Sequence, residues 1–210
     1  MVPAAVLAAP FGVQVGEARL ALDTPPGFSD VQGTGSPRLL ELAEALTPAS
    51  NRILLFALED ADVRRFTVGD SPELRRYVIG VTPKGLEHER ASAAAFQSYV
   101  SESLRELGAP APAGEIRRTL DAQPPGRVSL LAELRRDPQA VSVLQGTRIP
   151  APGRGNAPPR YLLSTTTLML LRGKALSFAA YTQYDSDADL EWIRMSTARW
   201  IEDLQRLNNR

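Results

Sequence analysis

Three aspartates at alternate positions, Asp185, Asp187 and Asp189, have the spacing that opens a calcium-binding EF-hand loop, where alternate carboxylates converge on the ion. The rest of that loop is missing, because Leu190 stands where its turn needs glycine and Ser196 where a bidentate glutamate would close the shell. The same residues suit a helix start: Ser186 with Asp189 three positions on is a capping-box pair, and acidic side chains favour the positive end of the helix dipole. Glu59, Asp60 and Asp62 follow a strand-like run and are read as a solvated turn, since a hard oxygen site for a cation needs six or more ligands. Asp60 and Asp62 would otherwise be the groups of a hydrolase or transferase working with carboxylates alone. Gly33-Thr34-Gly35-Ser36 precedes a helix and could offer amides to a phosphate, but it completes neither the dinucleotide fingerprint nor the P-loop.

His88 is the one histidine of 210 residues, and there is no cysteine. Thiolate nucleophiles, histidine-assisted triads and His or Cys metal sites need residues that are scarce or absent here. His88 lies in the polar stretch Leu86-Glu87-His88-Glu89-Arg90 and is read as a surface residue. No catalytic residue, metal ligand or cofactor is therefore expected. A disulfide framework is excluded, while the compartment stays open, because reducing and oxidising compartments both tolerate cysteine-free chains.

Basic and acidic residues balance at 24 each, so no global field draws the protein to nucleic acid or an anionic membrane. Only Lys84 and Lys174 among the basic residues are lysines. The bias sharpens in 111–184, with 10 basic against 4 acidic residues, among them Arg117, Arg118, Arg127, Arg135, Arg136, Arg148, Arg154 and Arg160. Stacking platforms for nucleic acid need aromatics between the arginines, and none occurs in 100–160. A docking face for an acidic protein, or a sheet edge guarded by charge, fits better. Trp192 and Trp200 are eight positions apart on the last helix; Trp200 falls on its apolar face, and Trp192 lies off it, partly exposed, either as an interface tryptophan or as cover for the sheet rim.

These residues sit on elements that the periodicity defines. Residues 161–172, the turn Gly173-Lys174 and 175–184 read as a β-hairpin. Leu190, Ile193, Thr197, Trp200, Ile201, Leu204 and Leu207 share one face of a helix over 187–207. Further helices are expected at 92–107, ended by Gly108, and at 37–46, opened by Ser36-Pro37. Strands are expected at 18–22, 52–58 and 76–82, and a hairpin at 127–135 and 140–149 turns at Asp137-Pro138. Residues 109–160 hold 9 of the 17 prolines and no aromatic residue, which predicts loops and an edge hairpin, with a long exposed loop at 150–159. Tight turns force antiparallel pairing, and the long helices need faces to cover. The fold class is α/β (α+β): a largely antiparallel sheet flanked by helices in one domain over 18–210, elaborated at 109–160. Residues 1–17 form an N-terminal tail, read either as the remnant of an export signal or as a frayed end or short edge strand. No apolar run is long enough to span a membrane.

The extended start leading into Leu22-Asp23-Thr24-Pro25-Pro26-Gly27-Phe28, followed by a short helix, strands, a middle helix, antiparallel strands and a long final helix, resembles the PsbP-like α/β/α sandwich. Its sequence anchor is the Pro-Gly-aromatic turn at Pro26, Gly27 and Phe28. The resemblance implies a small, often exported, non-enzymatic accessory protein attached to a larger envelope or lumenal complex, and it carries over no functional residue. The stretch 109–160 departs from a compact version of that pattern. The second half is also similar to exported bacterial proteins of unknown function, through Arg172-Gly173-Lys174, Tyr184, Asp189-Leu190 and Trp200.

The expectation is a periplasmic or secreted accessory or binding protein of the bacterial envelope, with cytoplasmic residence as the alternative. Its partner would be a protein, meeting Arg117, Arg118, Arg135, Arg136, Arg148, Arg154, Trp192 and the loop 150–160. The alternatives are a carboxylate-dependent hydrolase and a small-molecule binding module.

Overall fold

The computed structural model describes residues 9–112, 114–150 and 158–209. Seven strands form one antiparallel sheet: β3 (Phe28–Asp30), β4 (Asn51–Glu59), β5 (Arg76–Pro83), β6 (Val128–Asp137), β7 (Ala140–Ile149), β8 (Arg160–Leu171) and β9 (Lys174–Gln183). Their order across the sheet is β3-β4-β5-β9-β8-β7-β6, so the hairpin strand β9 lies in the middle, paired to β5 on its other side. The hairpin of β6 and β7 lies at the margin, as its proline-rich flanks predicted. Two strands, β1 (Phe11–Val15) and β2 (Ala18–Leu22), make a separate ribbon.

The last helix, α5 (Asp187–Asn208), begins on the expected capping box, with the Asp189 carboxylate accepting from the Ser186 amide at 3.1 Å. Ile193, Thr197, Trp200, Ile201 and Leu204 form its buried face. The four apolar ones, Ile193, Trp200, Ile201 and Leu204, join Leu163, Met169, Leu176, Phe178 and Ala180 of the sheet and Val15, Leu20 and Leu22 of the ribbon in one continuous cluster. Helix α4 (Ile116–Ala122) adds Ile116 and Leu120 to that cluster. Helices α1 (Pro37–Ala45), α2 (Asp60–Thr67) and α3 (Ala93–Leu104) cover the opposite face. The result is an α/β/α sandwich.

Three local readings are corrected. The turn between β8 and β9 is Arg172-Gly173, both at positive φ (49° and 79°), and Lys174 already belongs to β9. Residues 60–67 are helical where a turn was expected, because Asp60 and Asp62 suit the helix start, Arg64 and Arg65 its end, and Val63 and Phe66 reach the core. Helix α4 rises within the proline-rich stretch, whose prolines bracket it at 112 and 124 rather than interrupt it. Within the stretch 1–17, residues 11–15 form the short strand β1, which pairs residue by residue with β2.

Candidate functional site

The arginines chosen from the sequence do not form one surface. Arg117 on α4 lies 5.5 Å from the ring centres of both Tyr161 and Tyr184 and donates to the Asp185 carbonyl at 3.1 Å. Arg148 donates to the Asp121 carbonyl at the end of the same helix, and Arg118 pairs along α4 with Glu115 at 3.3 Å. Arg135 and Arg136 are at the other end of the hairpin, about 20 Å along the strands at the usual rise per residue. Arg135 is held by Asp137 at 2.6 Å and Gln205 at 3.1 Å, Arg136 by Glu133 at 2.6 Å. Arg135 and two backbone amides outweigh the burial of Asp137 and hold its carboxyl below the usual range. Arg154 and the loop residues 151–157 lie outside the described residues. Trp192 is partly exposed, but it stacks on Phe28 at 5.9 Å and carries the Arg76 guanidinium 4.3 Å above its ring. Each of the described arginines in this set is thus engaged within the fold.

The carboxylates are engaged as well. Asp62 is buried and accepts from the amides of Glu73 and Leu74, both at 3.0 Å, while Asp60 accepts from the Ser29 hydroxyl at 2.7 Å. Asp189 takes the amides of Asp185 and Ser186 and the guanidinium of Arg76, at 3.0 to 3.1 Å. Burial opposes its charge, but these donors win and its carboxyl stays below the usual range. Among the described residues, no three His, Cys, Asp or Glu side chains converge as a metal site would require.

The feature that sequence reasoning missed is a gap in the helix layer. The face carrying α5 is one cluster, whereas the other face holds two separate ones. Leu39 and Ala43 of α1 pack with Phe56, Leu58, Tyr77, Ile79 and Val81 over β4 and β5; Phe96 and Val100 of α3 pack with Val141, Leu168 and Ala175 at the far end of the sheet. Between them, Ser164 and Thr166 of β8 and Ser177 and Ala179 of β9 remain partly exposed in the centre of a seven-stranded sheet. Central strands of a sandwich are ordinarily covered on both faces, which makes the bare strip informative.

The hollow over this strip has a volume of about 130 Å³, with Leu46, Pro48, Ile79, Val81 and Tyr181 as walls and, among the described residues, no charged side chain in its lining. Tyr181 is stacked on Tyr77 with ring centres 4.5 Å apart, and burial pushes both phenols up, so this wall stays uncharged. A larger hollow of about 460 Å³ adjoins it through Thr47, Pro48 and Asn51, with an apolar floor of Leu40, Ala43 and Ile53 and with Glu44, Arg52 and Lys84 at its rim. The available signal in the sequence was small and hydroxyl residues on the same face of two adjacent strands, Ser164 and Thr166 beside Ser177 and Ala179.

No family model matches the chain, and no curated protein matches it. Among solved structures, it is similar to the Saccharomyces cerevisiae Ran-binding protein Mog1p at 10% identity, covering 95% of this chain and 94% of that one with a TM-score of 0.40. It is similar as well to a mutant of the protein Mog1 at 11% identity, covering 95% and 93% with a TM-score of 0.39.

Proposed function

We propose that this is a non-enzymatic binding protein that receives a segment of a partner protein in the gap between α1 and α3. The single observation that carries the reading is the bare centre of the sheet, where β8 and β9 offer small side chains to solvent between two helix-covered regions. Small floor residues leave depth for a partner's side chains, and the uncharged lining favours an apolar one. The acids that a hydrolytic mechanism would use, Asp60 and Asp62, instead bond to Ser29 and to backbone amides. Residence in the bacterial envelope, as an exported accessory subunit, is part of the proposal; its support is the PsbP-like resemblance.

A photo-crosslinking residue placed at Thr166 or at Ser177 in the native cell tests this, with Met195 on the exposed face of α5 as the control position. The expected result is one discrete adduct from both strip positions, recovered in the envelope fraction, and none from Met195. Equal adducts from all three positions, or none from any, would overturn the binding site. An adduct recovered only from cytosol would overturn the location.

A further inference from the structure

Both lysines of this arginine-rich chain end on backbone carbonyls, and one of them is buried. Lys84 donates to the Ala49 carbonyl at 2.8 Å from the surface. Lys174, 5% exposed, donates to the carbonyls of Glu87 at 3.0 Å and Glu89 at 2.8 Å, and among the described residues no carboxylate lies within ion-pair distance of it. A buried ammonium without a counter-charge is costly, and two carbonyl dipoles offset only part of that cost.

The surroundings supply more positive charge. Lys174 lines a hollow of about 220 Å³ with His88, Arg90, Arg172, Ala18 and Glu17. Among the described residues, the one acid in that lining is Glu17; the nearby Glu87 carboxylate is taken by Arg52. Two glycines make room for the cations. A Cβ on Gly16 would come within 2.9 Å of the Lys174 ammonium and 2.5 Å of the Glu87 carbonyl, and one on Gly173 within 3.0 Å of the Arg90 side chain. Both glycines are at positive φ in turns, and the Ala91 amide bonds the Gly173 carbonyl at 2.9 Å, which ties the loop carrying His88 and Arg90 to the hairpin carrying Lys174. Three chain segments distant in sequence therefore meet around one cationic hollow.

We propose that this hollow binds a phosphate-type oxyanion, either inorganic phosphate or the phosphoryl group of a small ester. Its volume is below that of sites for drug-sized ligands and suits one tetrahedral anion with its waters. The Arg90 guanidinium, the Lys174 ammonium and the His88 imidazole then give the anion charge-assisted hydrogen bonds, while Arg172, which donates to the Asn208 carbonyl at 3.2 Å, adds positive charge beside them. The site is separate from the gap between α1 and α3, and neither reading depends on the other.

Calorimetric titration at constant ionic strength, once with inorganic phosphate and once with glycerol phosphate, tests the proposal on the whole chain. Saturable one-to-one binding of either anion is expected. Arg90→Gln should weaken it about three- to tenfold and Glu17→Gln should tighten it, as the loss of one partly exposed charge interaction in each direction. Both substitutions lie at the surface, so they remain informative even if Lys174→Met fails to fold. Arg199→Gln, on the outer side of α5, should change nothing. Saturation by neither anion, or equal weakening by Arg199→Gln, would overturn the site.

Discussion

Two aspartates near the same edge of the sheet show how one residue type serves opposite ends. Asp62 accepts two backbone amides, and one of them belongs to Leu74, a non-glycine residue at φ 52° whose strained turn the carboxylate holds in place. Asp62→Ala is expected to cost about 2–3 kcal/mol, since it orphans two donors that had a charged acceptor; urea unfolding measures it, with faster amide exchange at 73 and 74. Asp30 also accepts amides, from Phe56 at 3.2 Å and Gln32 at 3.4 Å, yet its burial outweighs them and raises its carboxyl above the usual range. A raised carboxyl adds stability only below the ordinary carboxylate pKa, and that contribution is lost as pH rises through the folded value. Asp30→Asn keeps an acceptor and removes the buried charge. Its melting temperature should therefore exceed the parent's near about pH 7, and the difference should close as pH falls toward about 3.

At the scale of elements, the joint between the N-terminal ribbon and α5 is packed by apolar side chains and closed by the hydrogen bonds of one polar one. Asn208, 5% exposed, accepts from the Ala21 amide at 3.0 Å and donates to the Ala21 carbonyl at 2.8 Å, like an extra strand residue placed at the end of a helix. It also donates to the Leu204 carbonyl at 2.8 Å, and the Trp200 indole donates to the Asp23 carbonyl at 2.8 Å. Asn208→Ala leaves the amide and carbonyl of Ala21 without those partners, at a cost of about 2–4 kcal/mol. Hydrogen exchange should quicken at Ala21 and along β1 while the centre of β9 keeps its protection. Long periodic elements such as α5 and the β8–β9 hairpin were legible in the sequence because twenty or so residues repeat one pattern. The helix α4 was not, since seven residues give a period little room and what fixes it is the distant core contact of Leu120; β1 could be read only as one alternative for residues 1–17, because its partner β2 is what fixes it. Asn208, just past the helix expected over 187–207, gave no local sign of a partner 187 positions away.

Across the whole molecule, the two faces of the central strands are built for different ends. A strand's own alternation shows which side chains share a face, but whether a helix then covers that face depends on loops elsewhere, and so the gap between α1 and α3 was out of reach of local reading. Adjacent residues of β9 make the contrast testable. Phe178 is 1% exposed and packs edge-on against Trp200 at 5.3 Å, within the continuous cluster under α5. Ala179, its neighbour, points the other way into the uncovered hollow. Phe178→Ala should cost about 3–5 kcal/mol, the range for a large side chain lost from a packed core. Ala179→Arg should stay within about 0.5 kcal/mol of the parent, because its site is open to water. Guanidinium unfolding compares them, and the same Arg variant, carrying the crosslinker at Thr166, should lose the partner adduct while keeping the parent's stability. A collapse of stability in Ala179→Arg would mean that the strip is core rather than a receiving surface.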